Sequence, residues 1–236
     1  MKFLLLNIIL LFSFNLFAQD EQAKMDWANL HRFQQENTQI KTMTDSFLVV
    51  VFMGDSITQG WIEQDSAFFA KQKHYVYINR GISGQTTQQM LLRFRQDVLE
   101  LNPSVVIILA GINDIAENTG HLSEEQIFGN IQSMAELTKW YGRMHDVRLL
   151  ICSLLPAKTI PWRKNIEPIE KTIKLNKMIE DYCKQNCFTY VDYYSAMVDS
   201  DKGLKKEFGK DEVHPNLAGY KVMEKVLEDV FYLQCY

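Results

Sequence analysis

Apolar residues along this chain fall into short solid blocks, separated by longer stretches in which they recur every three or four positions. Residues 47–53 (FLVVVFM) form a wholly apolar, β-branched run, the pattern of a strand covered on both faces. Residues 75–79 (YVYIN), 104–111 (SVVIILAG), 147–154 (VRLLICSL) and 188–193 (FTYVDY) predict four more strands. Between them the spacing turns helical over 58–71, 86–101, 123–141, 169–185 and 216–233. In 86–101, Met90, Leu91, Phe94, Val98 and Leu101 make one apolar face. Ser123, followed by Glu124, Glu125 and Gln126, is an N-cap with an acidic first turn. Residues 156–168, bounded by prolines, predict a long irregular loop. In the polar stretch 20–45, Trp27, Leu30 and Phe33 sit at loose helical spacing, which predicts a peripheral helix and then a loop.

Strands alternating with helices imply βαβ units and a parallel sheet with helices on both faces, a three-layer α/β/α sandwich. No repeat, low-complexity stretch or linker interrupts the order, so one domain is expected over 19–236. In such sheets binding sites form beyond the carboxyl ends of the strands, and the polar residues that matter should follow the apolar blocks directly.

Composition narrows the picture. The 236 residues are 47% hydrophobic and 23% charged, an ordinary globular balance. The net charge of −4 and the absence of a basic run leave no electrostatic footprint for nucleic acid. Lys2, the apolar run 3–17 and Ala18-Gln19 read as a signal peptide over 1–18. That run is short for a ~30 Å hydrocarbon core, and Asp20-Glu21-Gln22 follows at once, so a cleaved leader is favoured over an anchor. Export to the periplasm or medium follows, with no stable membrane span after cleavage. Of the four cysteines, Cys152 lies in an apolar strand and reads as a buried small hydrophobe. Cys183 or Cys187 could reach Cys235, but spacing does not set the pairing.

The polar residues do follow the strands. Gly54-Asp55-Ser56-Ile57-Thr58-Gln59-Gly60 comes after the first, Asn79-Arg80-Gly81-Ile82-Ser83-Gly84-Gln85 after the second, and Gly111-Ile112-Asn113-Asp114 after the third. Asp211-Glu212-Val213-His214-Pro215-Asn216 lies beyond the fifth. Singly, each is an ordinary turn or cap signal. Together they closely resemble the SGNH/GDSL hydrolase family, with Ser, Gly, Asn and His in the family order across 47–220. The resemblance implies a flavodoxin-like five-stranded parallel sheet and serine acylhydrolase activity.

The chemistry suits those residue types. A serine hydroxyl is a poor nucleophile until a base takes its proton. Ser56, at the start of a helix, would be that nucleophile, and His214 its general base. Asp211, three residues earlier, can face the imidazole and hold its tautomer, whereas Glu212 points elsewhere. The resemblance supplies three oxyanion donors: the backbone N–H groups of Ser56 and Gly84 and the side-chain amide of Asn113. Asp55 and Asp114 are expected to hold loops through backbone N–H groups, and Arg80 to form a salt bridge. Trp61 and Trp162 could line an acyl or sugar subsite or pack as rim aromatics. His31, His74, His121 and His145 fall outside the four blocks and read as surface or capping residues. No metal or cofactor is expected. The expected substrate is a short acyl ester, preferably acetyl, on a carbohydrate or similar small alcohol. Lysophospholipase or short-chain lipid esterase activity, acyl transfer to a sugar, and a non-catalytic carbohydrate-binding protein are the alternatives. Nothing in the sequence sets the oligomeric state.

Overall fold

The computed structural model describes residues 26–41, 48–70 and 75–231. The leader, His74 and Cys235 lie outside the described residues. Five strands, β1 (Leu48–Gly54), β2 (Tyr75–Gly81), β3 (Val105–Leu109), β4 (Arg148–Cys152) and β5 (Thr189–Val191), form one parallel sheet in the order β2-β1-β3-β4-β5. This is the three-layer α/β arrangement that the alternation implies. The order changes direction between β1 and β3, the place at which open parallel sheets bind their ligands.

Helices α1 (Gln34–Lys41), α2 (Ser56–Gln64), α3 (Ser66–Ala70), α4 (Thr87–Asp97), α5 (Ile112–Ile115), α6 (Glu124–His145), α7 (Ile169–Asn186), α8 (Tyr193–Met197) and α9 (Leu217–Phe231) cover the sheet. The solid apolar blocks are the consequence: Val49 to Met53 of β1 and all of β3 are buried on both faces. Helices α4, α6 and α7 pack in a row on one face, and α2 and α9 meet on the other. Phe52, Trp61, Phe68, Phe69 and Tyr77 interlock beneath α2, with Trp61 stacked on Phe68 at 4.8 Å and on Tyr220 at 5.6 Å.

Local side-chain chemistry sets where elements stop. The helix expected over 58–71 is two, because Asp65 leaves helical geometry and its carboxylate accepts from the Phe68 N–H. The helix expected to reach Leu101 ends at Asp97; a single 3₁₀ turn, Leu99–Leu101, follows and stops at Asn102 in the left-handed region. The strand expected through Tyr193 ends at Val191, since Asp192 caps α8 by accepting from the Ser195 N–H. Ser123 caps α6 as its sequence predicts, in a reciprocal pair with Gln126. Upstream, among the described residues, only Gln34–Lys41 is helical, and Trp27 and Leu30 lie in the turns before it. That helix is anchored by Arg80, which is buried and donates to Glu36 (3.1 Å) and Asn37 (2.8 Å). Arg80 is therefore a structural ion pair.

Candidate active site

Strand β1 delivers its chain straight into α2. Asp55 is the N-cap, its carboxylate accepting from the Ile57 N–H at 2.9 Å, and Ser56 opens the helix at its positive end. Tight packing holds this turn. A Cβ on Gly81, at the end of β2, would lie 2.2 Å from the Gln59 nitrogen, so only glycine lets the two backbones meet. Buried Arg93 ties the two strand ends together, donating to the carbonyls of Gly54 (3.2 Å) and Arg80 (2.7 Å) and to Gln85 Oε1 (2.6 Å). From α9, the Tyr220 hydroxyl donates to the Ile57 carbonyl at 2.9 Å.

The loop before α9 brings in the imidazole. His214 Nε2 lies 3.0 Å from Ser56 Oγ, across 158 residues of chain. His214 Nδ1 lies 2.9 Å from Asp211 Oδ2. A carboxylate only accepts, so Nδ1 carries the proton and Nε2 is free to accept from the serine hydroxyl. Asp211 also takes the backbone N–H groups of Val213 and His214, each at 2.8 Å. Burial pushes its carboxyl up, but those two N–H groups and the imidazole outweigh it and hold it below its ordinary value. Asn216 closes the loop, its amide donating to the carbonyls of Glu207 and Gly209 and its oxygen accepting from the Gly219 N–H.

The glycine and asparagine blocks complete the edge. Gly84 has φ +78°, a left-handed conformation that favours glycine. Among the described residues, neither its N–H nor that of Ser56 has a protein acceptor. Asn113 is buried on the short helix α5; its amide donates once, to the Gln85 carbonyl at 3.1 Å, which leaves a second N–H. Asp114 accepts from the Thr87 N–H (2.9 Å) and hydroxyl (2.6 Å), joining this block to α4. Burial raises the Asp114 carboxyl to about 6 against those bonds, and raises Asp55 to about 7. Both aspartates hold loops.

A cleft of about 310 Å³ opens at Ser56 and His214, lined by Gln59, Glu63, Gln64, Ser83 and Lys210 among others. Of the two tryptophans, Trp61 is 2% exposed and belongs to the core, because its ring closes the aromatic cluster under α2. Trp162 is 39% exposed and its ring lies 5.7 Å from that of His214. His31 and His121 pair with surface carboxylates, and His145 stacks on Tyr141. Cys152 and Cys183 are buried thiols and Cys187 is exposed. Among the described residues no three His, Cys, Asp or Glu side chains gather as a metal cage, and no helix is long and apolar enough to cross a membrane. Sequence reasoning missed Asn118, which bonds to Asn113, Gly84 and Trp162 at once; its only signal was its place five residues beyond Asn113.

Such a fold, with a serine and an imidazole meeting at the switch point of the sheet, is that of an α/β ester hydrolase. The chain belongs to the GDSL-like lipase/acylhydrolase family, whose model matches residues 52–222, and it is an ester-hydrolysing enzyme. It resembles the crystal structure of a GDSL-like lipase from Bacteroides thetaiotaomicron at 42% identity and a TM-score of 0.77, covering 86% of this chain and 97% of that one. It is 26% identical to the human platelet-activating factor acetylhydrolase IB subunit alpha2 over 90% of this chain and 86% of the relative. It is 22% identical to an acetylxylan esterase of Geobacillus stearothermophilus over 75% of this chain and 90% of the relative.

Proposed function

We propose that the protein is an exported esterase that removes short acyl groups, acetyl above all, from carbohydrate hydroxyls, with Ser56 as nucleophile, His214 as general base and Asp211 as its orienting carboxylate. The observation that carries this reading is the 3.0 Å contact of Ser56 Oγ with His214 Nε2, backed by Asp211 on Nδ1. Ser56 Oγ attacks the ester carbonyl as its proton passes to His214. The tetrahedral oxyanion takes hydrogen bonds from the Ser56 and Gly84 N–H groups and the Asn113 amide. The alcohol leaves with the proton from His214, and water, deprotonated by the same ring, cleaves the acyl-enzyme.

Two features support acetyl esters of sugars. The two curated relatives above are both named for acetyl groups, one of them on xylan. The cleft wall of Gln59, Glu63, Gln64, Ser83 and Lys210 offers hydrogen bonds to a hydroxylated alcohol. Export rests on the leader composition of residues 1–18.

The test compares acetylated xylo-oligosaccharides with p-nitrophenyl esters of increasing chain length, using wild-type protein and Ser56→Ala. Expected are fluorophosphonate labelling that Ser56→Ala abolishes, a kcat reduced about 10⁴-fold or more by that substitution, and a rate that falls beyond short acyl chains. A preference for chains of eight or more carbons would overturn the acetyl assignment. Wild-type activity in Ser56→Ala would overturn the nucleophile.

A further inference from the structure

Two side-chain amides and an indole form a hydrogen-bonded chain that ends on the carbonyls of Gly84 and Gln85. Trp162 Nε1 donates to Asn118 Oδ1 at 3.0 Å. Asn118 Nδ2 donates to the Gly84 carbonyl at 3.2 Å and to Asn113 Oδ1 at 2.9 Å. Asn113 Nδ2 donates to the Gln85 carbonyl at 3.1 Å. The polarity of this chain is forced. An indole N–H can only donate and a backbone carbonyl can only accept. With Trp162 at one end, the Asn118 oxygen must face the indole, so its NH₂ faces Gly84 and Asn113. Asn113 must then present its oxygen to Asn118, which turns its own NH₂ the other way. Turning Asn113 over would set NH₂ against NH₂ and oxygen against the Gln85 carbonyl, two repulsions in a buried site.

The backbone around Asn118 is built to hold this posture. Glu117 before it takes the left-handed conformation at φ 55°, and the Asn118 N–H returns to the Asn113 carbonyl at 3.0 Å. Arg163, next to Trp162, donates to the Ala116 carbonyl at 3.0 Å, so the 156–168 loop and the Asn118 segment are joined twice.

We infer that Asn118, itself oriented by Trp162, is a positioning residue that locks the flip state of Asn113 so that its free N–H meets the oxyanion, while pinning the Gly84 peptide. The inference rests on the oxyanion role of Asn113 proposed above. It assigns the irregular loop at 156–168 a catalytic consequence through a hydrogen bond rather than through substrate contact.

A double-mutant cycle on acetyl ester hydrolysis tests it. Asn113→Ala is expected to lower kcat about 10²-fold or more. Asn118→Ala should lower kcat about 10- to 100-fold with KM little changed, because the oxyanion donor loses its orientation while substrate binding does not. In the Asn113→Ala background, adding Asn118→Ala should cost far less, because only its contact with the Gly84 carbonyl remains to be lost. Trp162→Phe keeps the ring and deletes the donor; it should lower kcat about threefold, and not at all when Asn118 is already alanine. Equal kcat losses from Asn118→Ala with and without Asn113, or an unchanged kcat in Asn118→Ala, would overturn the positioning role while leaving the oxyanion assignment intact. An unchanged kcat in Asn113→Ala would overturn the oxyanion assignment, and the positioning role with it.

Discussion

Asp55 and Asp211 stand beside the two groups that meet, one next to Ser56 and one three residues from His214, in surroundings of opposite kind. Asp55 is sealed under the sheet edge, its loop gripped by Gly81, Arg93 and Tyr220. Burial drives its carboxyl up to about 7 against the Ile57 N–H and the nearby imidazole. Asp211 lies on an open loop; burial raises it too, but two backbone N–H groups and the imidazole win, and it stays low. Ser56, the proposed nucleophile, is thus placed by long-range packing, and His214, the proposed base, by short-range hydrogen bonds that leave it in contact with water. The division suits their tasks. A nucleophile and its oxyanion donors need fixed geometry, whereas a general base must exchange its proton with solvent in every turnover.

The difference can be broken most severely on the open side. Asp211→Asn retains an acceptor for the Val213 and His214 N–H groups but no longer enforces the imidazole tautomer. It should lower kcat about 10²- to 10⁴-fold with little change in Tm. Loss of Tm with intact kcat would make the aspartate a loop staple only. On the sealed side, stability is the expected casualty. Gly81→Ala forces a Cβ to within 2.2 Å of the Gln59 nitrogen and 2.8 Å of the Asp55 carbonyl, costing about 3 kcal/mol in urea denaturation.

A subtler probe is pH. The folded Asp55 carboxyl is raised, so the stability linked to its protonation is fully present below its ordinary 3.8 and lost as pH rises through about 7. Asp55→Asn should remove that decline, on the order of 4 kcal/mol, from a stability–pH profile. Asp211 works the other way: its contribution is present above its ordinary value and lost as pH falls through the lowered one. The smallest effect belongs to Gly84→Ala. A Cβ there meets nothing within 4 Å, and only the φ of +78° is strained, at about 1 kcal/mol.

Much of this edge was legible in the chain. Short β-branched apolar blocks alternating with helical stretches mark strands covered on both faces, and such strands end in polar turns, so the blocks at Ser56, Gly84 and Asn113 were located before any contact was known. Trp61 and Trp162 show where that reasoning stops. Both follow polar loops in the sequence, yet Trp61 faces inward on α2 and closes an aromatic cluster, while Trp162 stands 5.7 Å from the His214 ring. Helix phase at Asp65 and at Asp97 was set by single side-chain and backbone bonds, which no periodicity records.

The sequence by itself determined the parallel α/β order, the family, and the residue types waiting at each strand end, because hydrophobic period and turn chemistry are local properties. Only the tertiary structure decided that residues 158 positions apart would meet at 3.0 Å, which tryptophan would face the site, and that Asn118 would bridge Asn113, Gly84 and Trp162. Those outcomes depend on the direction in which each amide and ring points, and direction is set by the sum of the packing around it.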